Sequence, residues 1–103
     1  AEVTVDQARG LIDSRRPFLL DVRRAAEFAE GHIDGALNMA HTRMRTGLDR
    51  VPRDRPILVN CRSGMRSARA CSLLQKHGYE AINLAGGFLA WEKAAVPAAP
   101  AAR

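Results

Sequence analysis

The run Pro56-Ile57-Leu58-Val59-Asn60 has strand length and no polar alternation, and it feeds directly into Cys61-Arg62-Ser63-Gly64-Met65-Arg66-Ser67 and then a helical pattern. A strand that is apolar on both sides has to be covered on both faces, which is the condition of a parallel sheet. Phe18-Leu19-Leu20-Asp21-Val22, opened by Pro17, has the same character. Between and around these runs the pattern switches to helical spacing. Thr4 and Gln7 form a capping box that predicts a helix to about Asp13, with Val5, Ala8, Leu11 and Ile12 on one face. Arg24 to Glu30 reads as a helix ending at Gly31, and Ala36 to Met39 as a short strand. From Ser67 to His77 the residues Ala70, Leu73, Leu74 and His77 form a stripe closed by Gly78. Ala81 to Leu84 is a further strand, and Gly86-Gly87 precede a last helix, Phe88 to Ala95, carrying Trp91. Strands alternating with helices predict a parallel α/β sheet with helices on both faces. His41 to Val51 reads as a short helix with a loop.

The chain has 103 residues, enough for one core and too few for two. Residues 1–96 are expected to form that domain, and 97–103, rich in proline and alanine, a flexible extended tail. With 47% hydrophobic and 26% charged residues the composition is that of an ordinary globular protein, which excludes disordered and fibrous classes. No apolar run approaches the roughly 20 residues of a membrane helix, and no basic segment followed by an apolar one opens the chain. A cytoplasmic protein with no membrane partner is expected. Because Ala1 stands first, a removed leader and a periplasmic location stay open.

The net charge of +5 is unevenly placed. Arginines 43, 45, 50, 53, 55, 62, 66 and 69 face only Asp49 and Asp54 in the same segment, a local balance of +6. Such a segment is by default a solvated basic face, unless chemistry lies inside it. It contains Cys61. The other cysteine is Cys71, and two thiols without CxxC spacing make neither a disulfide scaffold, a zinc site nor a dithiol redox motif.

Ligands of open parallel sheets bind beyond the carboxyl ends of the strands, and Cys61 stands at such an end. The loop after it enters a helix N-terminus, where free N–H groups and the positive end of the dipole favour an anion. Gly64 permits the turn that aims successive amides inward. Those amides, with Arg62 and Arg66 near, should lower the Cys61 pKa and hold the nucleophilic thiolate. The bland alternative is a buried, inert cysteine.

The seven residues Cys61 to Ser67 resemble the active-site loop of rhodanese-type sulfurtransferases, in which a cysteine and an arginine bracket four residues. Asp21-Val22-Arg23, Glu27-Phe28 and Gly31-His32-Ile33-Asp34-Gly35-Ala36-Leu37-Asn38 are similar to the family's upstream signature, and Gly86-Gly87-Phe88-Leu89-Ala90-Trp91 to its closing one. The resemblance runs from the first strand to the last helix and is to the single-domain form. It implies a rhodanese-like fold with a central parallel sheet of about five strands, and an enzyme that uses no cofactor and no metal. It also implies a two-step reaction. Cys61 would take the outer sulfur of an anionic donor such as thiosulfate, becoming a persulfide, and a thiol or cyanide acceptor would remove that sulfur.

In this reading Cys61 is catalytic and Arg62, Ser63, Gly64, Met65, Arg66 and Ser67 form the substrate cradle, supported by Asp21 and Arg23. Arg62 and Arg66 would grip the donor's sulfonate; alternatively Arg66 is structural, with Asp21 its expected carboxylate partner. Three other readings are weighed against it. A cysteine phosphatase or arsenate reductase shares the strand, loop and helix, but places five residues between cysteine and arginine, whereas four stand here. A non-catalytic module would carry sulfur or bind a partner. Nucleic-acid binding is disfavoured, because Phe18, Phe28, Tyr79, Phe88 and Trp91 do not interleave with arginines 43 to 69. The molecule is expected as a monomer, with a homodimer as the alternative. Cys71 reads as a small buried hydrophobe, His32 as held by local hydrogen bonds, Trp91 as core, and Gly35, Gly86 and Gly87 as positions of unusual dihedral or close approach.

Overall fold

The computed structural model describes the backbone of residues 1–102 and side chains through 94. The tail expected over 97–103 lies outside the described side chains. Five strands, β1 (Glu2–Val3), β2 (Phe18–Asp21), β3 (Leu37–Asn38), β4 (Ile57–Asn60) and β5 (Ala81–Leu84), form one sheet in the order β1-β5-β4-β2-β3. Every pairing is parallel. The helices are α1 (Val5–Arg15), α2 (Ala25–Glu30), α3 (Met44–Gly47), α4 (Met65–Lys76) and α5 (Gly87–Ala102). This is the expected α/β architecture.

Local chemistry accounts for most boundaries. Thr4 accepts the Gln7 N–H while Gln7 caps the Thr4 N–H, so α1 starts on its capping box. It runs two residues beyond the expected Asp13. At the end of α4 the Gly78 N–H reaches Gln75 and the Tyr79 N–H reaches Leu74, a Schellman closure that uses the positive φ of Gly78. His77, expected on the buried stripe of α4, is instead exposed. The segment from 41 to 51 consists of 3-10 turns at His41–Arg43 and Leu48–Arg50 flanking the single turn of α3. Tyr79 ties it down, its hydroxyl lying 2.9 Å from the Leu48 carbonyl and 3.1 Å from that of Val51.

Strand alternation sorts the core into two layers. Leu20, Val22, Ile57, Val59, Cys61 and Ala81 face α3 and α4, packing with Met44, Ala70, Cys71 and Leu74. Leu58, Ile82 and Leu84 face the other way, onto Val5, Ala8, Phe88 and Trp91 of α1 and α5. β2 leads outward to β3, whereas β4 leads the opposite way to β5, so the connections leaving their paired carboxyl ends diverge. That divergence opens a crevice where the strand order reverses. No helix among the described residues is long and apolar enough to cross a membrane.

Candidate active site

Cys61 is the first residue after β4, and its side chain is 1% exposed. Gly64 turns the chain with φ +113°, a conformation that side-chain-bearing residues rarely adopt, and caps α4. Its N–H then lies 3.0 Å from the Cys61 sulfur. The outer side of the loop is fixed by α5. Phe88 and Leu89 donate their N–H groups to the carbonyls of Cys61 and Arg62, at 2.8 and 3.1 Å. Holding those carbonyls outward leaves the amides of the loop turned in. Gly87 makes this close approach possible, since a Cβ there would stand 2.5 Å from both carbonyl oxygens.

Burial by itself pushes the Cys61 thiol up. The Ser67 hydroxyl, 3.3 Å from the sulfur, and the N–H groups of Ser67, Gly64 and Ser63 outweigh burial and bring the thiol below its ordinary range. Cys71 lacks such donors, and burial raises it to about 11. Both thiols are free and lie in the same core layer. Cys61 is thus the more acidic and Cys71 the inert one, in line with the expected buried hydrophobe.

The supporting pair forms at the neighbouring strand end. Asp21, fully buried, accepts from the Arg23 N–H at 3.0 Å and from its guanidinium at 2.8 to 3.1 Å. Arg23 also donates to the Gly31 carbonyl and lies over the Phe88 ring, 4.4 Å from its centroid. Asp21 is therefore occupied by Arg23. The expected Arg66 to Asp21 pair does not form: Arg66 makes a two-pronged pair with Glu27 of α2, at 2.8 and 3.0 Å. The physical reason is placement, because Arg23 follows Asp21 by two residues and reaches it first. Glu27 sits in the first turn of α2 and reaches Arg66 at the start of α4. The pairing with Arg66 holds the Glu27 carboxyl at about 2.

The remaining cradle residues are distributed as follows. The exposed Arg62 side chain lines a cavity of about 200 Å³ with Arg23, Glu27, Phe88, Leu89 and Glu92. Ser63 is exposed and contributes its backbone. Met65 is 75% exposed at the start of α4. His32 is held as expected, Nδ1 2.9 Å from the Phe28 carbonyl with its ring stacked on Phe28 at 3.7 Å. The basic segment is dispersed. Arg43 and Arg50 line one cleft with Arg24, Arg45 and Arg69 line another with Lys76, Arg53 stacks on Tyr79, and Arg55 pairs with Asp54.

Residues 4–94 match the rhodanese-like domain family. The chain belongs to this family. A sulfurtransferase of Allochromatium vinosum is 38% identical over 88 residues, covering 84% of this chain and 82% of that protein. The thiosulfate sulfurtransferase GlpE of Shewanella oneidensis is 31% identical, covering 89% of this chain and 92% of its own. Among solved structures, that of reduced Bacillus anthracis CoADR-RHD superposes with a TM-score of 0.86 at 29% identity, over 93% of this chain and 17% of the other. These relatives support a sulfurtransferase function for this rhodanese-like domain.

Two residues of the rhodanese-like site were not singled out in the sequence. Glu27 was only part of a signature, with nothing to indicate its partner. Asn83 is a buried amide in the otherwise apolar strand Ala81-Ile82-Asn83-Leu84. A polar residue in such a run was the available signal, since buried amides require partners.

Proposed function

We propose that this chain is a thiosulfate sulfurtransferase working through a persulfide on Cys61. The observation that carries the reading is the Cys61 sulfur held by the Gly64 N–H and the Ser67 hydroxyl at the head of α4. A thiolate stabilised in this way is the attacking form. In the first step it attacks the outer sulfur of thiosulfate. A bond forms between the two sulfurs, the bond to the sulfonate sulfur breaks, and sulfite leaves with the electron pair. The charge now sits on the outer persulfide sulfur, within the same ring of N–H donors, which need not reorganise to receive it. In the second step a thiolate or cyanide attacks that outer sulfur, and the Cys61 thiolate leaves.

Arg62, exposed beside the loop, is the side chain proposed to meet the sulfonate. Arg66, held by Glu27, acts at a distance: its positive charge and the Cys61 negative charge stabilise one another. The four-residue spacing between Cys61 and Arg66 supports sulfur over phosphate as the group held. A reducing cytoplasm is the setting proposed for a persulfide carrier.

The test is intact mass after incubation with thiosulfate. Wild type is expected to gain one sulfur and Cys61→Ser to gain none. No gain on wild type, or a gain retained by Cys61→Ser, defeats the reading. Rates with thiosulfate against mercaptopyruvate, and with cyanide against a dithiol, then identify the preferred donor and acceptor.

A further inference from the structure

Ser67 is fully buried, and its hydroxyl lies between two acceptors, the Asn83 Oδ1 at 2.6 Å and the Cys61 sulfur at 3.3 Å. A hydroxyl has one proton to give. The orientation of the Asn83 amide is not arbitrary. Its Nδ2 faces the Gly64 carbonyl at 3.3 Å and the Glu2 carboxylate at 3.2 Å, both acceptors only. Turning the amide over would set its oxygen against those two oxygens, so Oδ1 must face Ser67. Strand alternation brings this about: Asn83 follows Ala81 by two residues and points to the same face, the one on which α4 packs.

We infer that Asn83 is a positioning residue that acts through Ser67 as the alternate acceptor of its proton. When the Cys61 sulfur is an anion, the hydroxyl donates to it. When that sulfur carries a proton or a second sulfur and has lost its charge, the hydroxyl returns to Asn83. The buried hydroxyl thus has a partner in every state, where otherwise the uncharged states would leave a donor unsatisfied. Nothing is transferred in this exchange; one O–H bond rotates. The persulfide state rests on the function proposed above, whereas the thiol and thiolate states do not.

The other charged or titratable groups around Cys61 and its two partners are Arg62 in the loop, Arg66 and Cys71 on α4, Glu27 of α2 paired with Arg66, Glu2 of β1 on the Asn83 amide, and Asp21 with its partner Arg23 at the end of β2. All are kept in the test. The pH dependence of Cys61 alkylation by iodoacetamide, followed by peptide mass, is measured in wild type, Ser67→Ala, Asn83→Leu and the double variant. Asn83→Leu removes the competing acceptor, so the Cys61 pKa should fall by about 0.5 to 1. Ser67→Ala should raise it by a similar amount. In the Ser67→Ala background, Asn83→Leu should change nothing. An equal shift with and without Ser67 overturns the inference, because Asn83 would then act only by bracing the Gly64 carbonyl; so does no shift with Ser67 present.

Should Asn83→Leu not fold, Asn83→Asp takes its place. It keeps a stronger acceptor, so its rise in Cys61 pKa should be larger with Ser67 than without, and equal rises overturn the inference. Alkylation needs no sulfur donor, so this test and the persulfide test fail independently.

Discussion

At the residue scale, the two cysteines have opposite chemistry from similar burial. Both are under a tenth exposed, but only Cys61 has N–H and O–H donors aimed at its sulfur. Alkylation against pH should therefore resolve two titrations, Cys61 with a midpoint below 9.0 and Cys71 at about 11. Coincident titrations would mean that the donors do not stabilise the thiolate. Arg23 is the residue whose loss should cost most. Its removal leaves the fully buried Asp21 carboxylate without its main partner, and breaking such a pair costs about 3 to 5 kcal/mol. Arg23→Met is expected to lower stability by about that much in urea unfolding. A loss under about 1 kcal/mol would show that Asp21 is satisfied by other means.

At the element scale, the loop between β4 and α4 is shaped from outside by α5 and α2. The Gly87→Ala variant puts a methyl 2.5 Å from the Cys61 and Arg62 carbonyls, at a backbone φ of +60° that disfavours side chains. Overpacking of this kind costs about 1 to 3 kcal/mol. It should also push the loop amides off the sulfur and raise the Cys61 pKa, measurable by the same alkylation profile. The Glu27 to Arg66 pair joins α2 to α4. The Glu27 carboxyl is lowered from 4.5 to about 2, so its stabilisation is fully present above pH 4.5 and is lost as pH falls toward 2. Glu27→Gln should remove that part of the acid dependence of unfolding, leaving the two proteins closer in stability at pH 2 than at pH 6.

The elements themselves were legible where local chemistry decides them. The capping box, the Gly78 closure and the unbroken apolar strands were readable because each depends on neighbours in the chain. β1 was not, since two residues carry no pattern; Glu2 and Val3 become a strand only because β5 offers an open edge. The early start of α4 at Met65, two residues before the expected Ser67, follows from the turn at Gly64.

At the scale of the whole molecule, the +6 segment is divided by the fold. Arg53 is held by the His77 carbonyl and Tyr79, and Arg55 and Arg66 have carboxylate partners. Only Arg62 and Arg66 belong to the Cys61 loop itself, so the long-range field is the route left to the others. If thiosulfate is the donor, its Michaelis constant should rise with ionic strength as that field is screened over about 8 to 10 Å. A flat dependence would make the outer arginines ordinary surface.

The chain by itself determined the order of strands and helices after β1, the place of Cys61 at a strand end before a glycine turn, and the kind of chemistry that such a turn supports. These depend on interactions within a few residues or on periodicity along one element. Partnership across the fold was decided only by the tertiary structure. Arg66 goes to Glu27 and not to Asp21, and the Ser67 hydroxyl is set between Cys61 and Asn83. Which of several carboxylates or amides a side chain meets depends on how the strands are ordered and which face each residue presents. Contacts between residues 39 apart, as for Arg66 and Glu27, or 16 apart, as for Ser67 and Asn83, do not show in local sequence which partner is met.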